Sequence, residues 1–255
     1  MVEIKAEPDG SGRTVGVLGG MGPAATIDFY RRIVDSTYAL RDQDHLHVLI
    51  DSRPSVPDRT AFLLGCGNDP RPMLIDMAQR LERAGADLLV MACNTANAFI
   101  HDIAASVHVP VLHWIDEAVA GTFASEPAIR KVGLLATDGT LASGLYARAF
   151  ERYGVDVIVP GPSSQRRVMA AIYGPTGVKS GYQDLRSARN DVELSGQETI
   201  DGGADVVLLA CTELSLLFAE QPPRWRLKTI DAAQVVARSI VARAGGRLDD
   251  RNADR

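Results

Sequence analysis

Hydrophobic residues along this chain fall into short continuous runs, separated by longer stretches in which apolar positions recur every three or four residues. Runs at 15–18, 47–50, 88–92 and 109–112 occupy the first half, and runs at 132–136, 155–159, 206–210 and 227–230 answer them in the second. Apolar runs of this length, without alternation, predict strands buried on both faces, as in a parallel sheet covered by helices. The stretches 24–34, 72–84, 141–153, 183–200 and 231–244 carry the helical period and predict amphipathic helices between the strands. Pro23, directly after Gly22, suits the first turn of one of them.

The two halves repeat each other. VGVLGG, beginning at Val15, returns as VGLLAT at Val132; GADLLVMAC at Gly85 returns as GADVVLLAC at Gly203; Ile115-Asp116 returns as Ile230-Asp231. The offsets are 117, 118 and 115 residues, so close to one value that the generic likeness of αβ units is a poor explanation. The fold expected is α/β, with two pseudo-symmetric doubly wound domains built on parallel-type sheets and a cleft between them. We expect an N-terminal α/β domain over 1–115, a C-terminal α/β domain over 116–228, and, within 229–255, a last helix that returns to the first domain ahead of a frayed tail.

Composition narrows the function classes. With 46% apolar and 23% charged residues, the chain has enough apolar material for folded cores. Its net charge of −5 gives no electrostatic reason to bind nucleic acid or an acidic membrane, and 5% aromatics supply no base-stacking surface. Any anionic substrate must therefore be held by a few placed cations. The longest strongly apolar runs, 88–93 and 206–211, are far too short to span a bilayer. Residues 1–13 are polar, with no apolar export core, and read as a frayed leader. Three cysteines without an export signal point to free thiols in a reducing, cytoplasmic compartment. The five histidines show no metal-ligand spacing with the cysteines, so no metal is expected; His113, at a strand end, reads as structural.

Reactive groups in open α/β sheets gather at the carboxyl ends of strands. Cys93 and Cys211 both sit there, at matching positions of the repeat, each followed by residues with helix-capping chemistry, Asn94-Thr95 and Thr212-Glu213. A thiol at a helix N-terminus is expected to ionise more readily than a free one. One such cysteine is as well explained as a small buried hydrophobe. Two at equivalent positions facing one cleft can form a disulfide, or can act on opposite faces of one substrate, one taking a proton while the other gives one. Cys66, in a loop without a repeat partner, reads as incidental.

The turn Gly19-Gly20-Met21-Gly22-Pro23 after the first run would let backbone amides approach an anion. It also reads as a loose dinucleotide fingerprint, Gly20-x-Gly22-x-x-Ala25, but Asp51, the acidic residue ending the second run, lies 29 residues after Gly22 rather than about 20. Arg59 follows Asp58, a helix cap, and an arginine there opposes the helix dipole at a cost of roughly a few tenths of a kcal/mol. That small cost is consistent with a use such as gripping a carboxylate, although a solvated surface arginine fits the sequence as well. Lys179, in Gly177-Val-Lys-Ser-Gly181, reads by itself as solvated.

Taken in order, the turn 19–23, Pro57-Asp58-Arg59-Thr60, Ala92-Cys93-Asn94-Thr95 and Cys211-Thr212-Glu213 resemble the aspartate/glutamate racemase family, and more closely its aspartate racemase branch, from about residue 14 to 244. The resemblance implies two pseudo-symmetric α/β domains with the active site between them, no pyridoxal phosphate or metal, and a homodimer. It makes Cys93 and Cys211 the two catalytic bases. It puts Asn94, Thr95, Thr212, Glu213 and the Gly20, Met21 and Gly22 loop around the amino-acid head group, and Arg59 and Lys179 at the side-chain carboxylate. Two departures bear on this. Relatives often carry asparagine where this chain has Ser52-Arg53. Glutamate racemases usually carry Asp-Ser after the first strand and Cys-Thr-His, where this chain has Gly19-Gly20 and Cys211-Thr212-Glu213. The resemblance favours aspartate; racemisation of glutamate or another amino acid, and non-catalytic amino-acid binding, stay open. A nicotinamide-dependent enzyme using the glycine turn is the rival from another class.

Overall fold

A computed structural model describes residues 12–252; most of the polar leader lies outside the described residues. Strands β1 (Val15–Gly19), β2 (Val48–Ser52), β3 (Leu88–Met91) and β4 (Val111–Leu112) form one parallel sheet in the order β2-β1-β3-β4. Strands β5 (Lys131–Leu135), β6 (Asp156–Ile158), β7 (Val206–Leu209) and β8 (Thr229–Asp231) form a second, in the order β6-β5-β7-β8. The repeat is thus a repeat of topology. Val15 is level with Leu88 in the first sheet and Val132 with Val206 in the second. All eight apolar runs became strands, and β1, β3 and β7 are buried along their whole length, as two covered faces require.

The helices are α1 (Pro23–Ser36), α2 (Arg59–Leu63), α3 (Arg71–Arg83), α4 (Ile100–Ala104), α5 (Trp114–Ser125), α6 (Asp138–Ser143), α7 (Leu145–Glu151), α8 (Pro162–Tyr173), α9 (Arg186–Asp201), α10 (Thr212–Leu217) and α11 (Ala232–Arg243). The stretch 141–153, expected as one helix, is broken at Gly144, whose φ of +64° ends α6 and starts α7. Side chains alternate across each strand, so Val15 and Val17 face a core shared with Val132, Leu134, Trp114, Phe150 and Ile240, while Leu18 faces a second core under α3. One apolar cluster therefore runs through both sheets and α11, which packs against α1 and α5. The chain packs closely over both strand centres. A Cβ on Gly16 would lie 2.9 Å from Ala86 Cβ and 3.3 Å from Leu81 Cβ of α3, and one on Gly133 2.2 Å from Thr199 Oγ1 of α9, so glycine suits both positions.

The tail expected to fray from Arg247 onward is instead docked through residue 252. Leu248 bridges Thr37 antiparallel, Tyr38 N donates to Arg247 O, and Asp249 N donates to Ser36 O. Arg247 and Arg251 lie over the Tyr38 ring at 4.1 and 5.0 Å. The charges of this segment pair locally, with Arg251 holding the Asp249 carboxyl down to about 2. No helix among the described residues is long and apolar enough to cross a membrane.

Candidate functional site

The carboxyl ends of β1, β3 and β7 meet at one small cavity between the two sheets. At the end of β1 the chain turns at Gly20, whose φ is +87° and whose missing Cβ would fall 2.2 Å from Arg53 N. Both requirements exclude any other residue there. The Gly20 amide donates to Thr26 Oγ1 at 2.8 Å, and Gly20 does not line the cavity. It shapes the turn, and its N–H is spent within it. The Gly22 amide, at the start of α1, donates to Glu213 Oε1 at 3.1 Å. The loop meets the cavity through Met21, whose carbonyl accepts from Arg59 Nη2 and from Lys179 Nζ, each at 3.1 Å. Two cations from different lobes thus converge on one backbone oxygen.

Arg59 is buried because α2 presses it inward. Asp58 caps α2 by accepting from Ala61 N at 2.7 Å, and the guanidinium also donates to Val56 O and Pro57 O. Burial lowers the guanidinium pKa, but Cys93, Tyr173 and Asp58 around it more than offset that, and it is raised. Its Nε is buried with no hydrogen-bond partner among the described residues. Arg53, the departure noted above, turns elsewhere: it pairs with Asp76 at 2.7 Å and does not line the cavity.

Cys93 and Cys211, both buried and free of any disulfide, line the cavity from the two lobes. The capping expected after each is not what the structure has. Asn94 has helical backbone angles and caps nothing, and a 3-10 turn (Thr95–Phe99) follows. Cys211 is itself the N-cap residue of α10, without a side-chain cap. The Thr95 hydroxyl lies 2.9 Å from those of both Thr137 and Thr140. The Thr212 hydroxyl donates to Glu213 Oε2. Nor is the Cys211 thiol eased toward ionisation. Burial pushes its pKa well up, and the Glu213 carboxylate, which accepts from Sγ at 3.2 Å, pushes the same way against Lys179. A short helix's partial charge loses to full desolvation beside a carboxylate.

Glu213 is the hub on the second-lobe side. Oε1 takes Gly22 N and Lys179 Nζ, the latter at 2.6 Å, and Oε2 takes Cys211 and Thr212. Lys179 is raised: burial lowers it and Glu213 more than restores it. The lysine that read as solvated is therefore an inward-turned ion pair. Asn94 receives a hydrogen bond from Tyr146 Oη to Oδ1 at 2.6 Å, while its Nδ2 is buried without a partner among the described residues. His113 caps α5, its Nδ1 accepting from Asp116 N, and does not line the cavity.

Nine of the eleven residues singled out from sequence line this cavity; Gly20 and Gly22 support it from behind. Two lining residues were missed, Thr137 and Tyr173. Thr137 carried a signal, being the repeat counterpart of Gly20, 117 residues on. Tyr173 carried none. It closes α8, donates to Asp58 Oδ2 at 3.0 Å across the lobes, and lays its ring 5.4 Å from Lys179 Nζ. Burial raises its phenol pKa far above the usual value.

Comparison with known proteins identifies relatives over most of the chain. The sequence profile of the Asp/Glu/hydantoin racemase family matches residues 18–240. A broad-specificity amino-acid racemase, RacX, of Bacillus subtilis is 27% identical over 89% of this chain and 96% of its own. A glutamate racemase of Corynebacterium glutamicum is 34% identical over 58% of this chain and 51% of its own. The solved structure of Picrophilus torridus aspartate racemase superposes with a TM-score of 0.82 at 30% identity, covering 94% of this chain and 97% of that one.

Proposed function

The chain belongs to the Asp/Glu/hydantoin racemase family, and from that premise we propose that it interconverts L- and D-aspartate by cofactor-independent proton transfer between Cys93 and Cys211. The observation that carries the reading is the convergence of two buried thiols, from equivalent strand ends, on one cavity holding two cations and two buried N–H groups without acceptors. A buried donor left unpaired costs about 1–3 kcal/mol, which an incoming carboxylate relieves. Aspartate carries two carboxylates and one ammonium. Arg59 and Lys179 suit the former, and Glu213, the carboxylate lining the cavity, suits the latter.

In the first half-reaction the α-proton passes to Cys93 Sγ as thiolate, and the electron pair stays on the α-carbon, delocalised into the carboxylate. Cys211 Sγ–H then gives its proton to the opposite face and is left as thiolate; the reverse direction exchanges the roles. Burial and Glu213 keep Cys211 protonated, which fits the acid of this sequence. The Arg59 guanidinium beside Cys93 balances the charge of a thiolate formed there. The α-proton is very weakly acidic, so stabilising the carbanion supplies most of the rate. Asn94 Nδ2 and the guanidinium are fixed donors in a cavity with little room for water.

One observation favours broader specificity as a second reading. Glu213 already takes Lys179, which weakens the pull on a side-chain carboxylate, and the B. subtilis relative is named a broad-specificity racemase. The test is kcat/KM for L-aspartate, L-glutamate and L-alanine, with reduced protein and chiral chromatography. A preference for aspartate over alanine of about 100-fold or more supports the first reading, and comparable values support the second.

A further inference from the structure

Asn94 lines the cavity from the first lobe, directly after Cys93. Its amide can face either way, and only one orientation presents a donor to a substrate carboxylate. The contact that decides the orientation comes from the other lobe: Tyr146, on α7, reaches Asn94 Oδ1 with its hydroxyl at 2.6 Å in a fully buried setting. The phenol is the donor: burial, with Asp231 adding to it, keeps its O–H protonated, and Asn94 Oδ1 is the acceptor that this hydroxyl has among the described residues. With Oδ1 taken, Nδ2 is the group left over, buried and without a partner. The ring itself is held by packing: Tyr146 is 1% exposed and stacks on Phe150 at 6.4 Å.

We propose that Tyr146 is a positioning residue that acts through Asn94: its hydroxyl holds the amide with Nδ2 turned to the substrate carboxylate, and so makes the donor of one lobe depend on a side chain of the other. The proposal rests on the racemase reading for its kinetic consequence and on geometry alone for the orientation. Tyr146 touches neither thiol nor cavity and would not be selected by any search for lining residues.

The test is a double-mutant cycle with a structural readout beside it. Tyr146→Phe keeps the ring and removes the hydroxyl. It is expected to lower kcat/KM for aspartate racemisation about 10-fold, mostly in kcat, and Asn94→Ala to lower it about 100-fold, as for loss of one charge-stabilising donor. In the Asn94→Ala background, adding Tyr146→Phe is expected to change nothing further. A full second loss there, or no loss in Tyr146→Phe alone, overturns the proposal and leaves the racemase reading standing. Independently of turnover, the side-chain amide pair of Asn94 in 15N-labelled protein, assigned by its disappearance in Asn94→Ala, is expected to move in Tyr146→Phe. Unmoved resonances overturn the positioning whatever the substrate proves to be. Absence of racemisation with the amide behaving as expected counts against the function alone.

Discussion

Replacing Cys211 by serine removes a titrating group from a buried site and changes little else, which makes it a direct probe of the site's electrostatics. In the folded chain, burial and the Glu213 carboxylate hold this thiol well above the value of an unfolded cysteine, about 8.5. Below that pH both states are protonated and the full contribution of the buried neutral thiol is present. Above it the unfolded chain loses the proton while the folded chain keeps it, so stability falls by about 1.4 kcal/mol per pH unit until the folded pKa is reached. Between about pH 8.5 and 10 the loss from this one group is about 2 kcal/mol. Tyr146 and Tyr173 are also raised by burial, but their unfolded phenols titrate at about 10, so their slopes begin where the window ends. The assay is urea unfolding under reducing conditions, in half-unit steps from pH 7, for the wild type and Cys211→Ser. Groups common to both cancel in the difference. The expected gap is flat to about pH 8.5, after which the wild type loses about 2 kcal/mol relative to the serine variant by about pH 10. A flat gap throughout, or one moving the other way, would show that the helix N-terminus governs this thiol and that the electrostatic argument is wrong.

Three further outcomes follow. Cys93→Ala and Cys211→Ala should each abolish net racemisation while leaving the fold intact by circular dichroism; near-normal turnover in either would break the two-thiol scheme. If Lys179 holds the side-chain carboxylate as proposed, Lys179→Met should cut kcat/KM for aspartate by about 10-fold or more beyond any loss for alanine, which shares the effect of unpairing Glu213 but lacks that carboxylate. Asp58→Ala should cost about 1–2 kcal/mol in urea unfolding, because it removes both the α2 cap and the acceptor of the Tyr173 hydroxyl.

The sequence was most informative where one physical requirement acted alone. Strands covered on both faces must be apolar throughout, so β1, β3 and β7 were legible as unbroken runs, and the repeat of Gly85–Cys93 at Gly203–Cys211 disclosed the shared topology of the sheets. It was least informative where two requirements competed. Helix α5 carries apolar residues around much of its surface, because it packs between α7 and α11, and so shows little amphipathic pattern. Gly144 sits within an otherwise continuous helical period and breaks it. The cysteines were legible as a pair, but their setting was not: the sequence puts them at helix starts, while the pKa of Cys211 is decided by burial and by a carboxylate two residues on that turns back toward it. Arg59 and Lys179 looked solvated until the fold closed over them, because nothing local records that one carbonyl, Met21 O, draws both inward. Tyr173 reaches the cavity from another lobe, a contact no spacing encodes.

The central claim is tested most directly by following L-aspartate with the reduced protein in heavy water, without added cofactor, by proton NMR and chiral chromatography over the first few per cent of reaction. Two thiols on opposite faces predict D-aspartate that carries deuterium at the α-carbon from the outset, formed while the remaining L-aspartate keeps its protium. No D-aspartate, or deuterium entering L-aspartate as fast as the D-enantiomer appears, would contradict it.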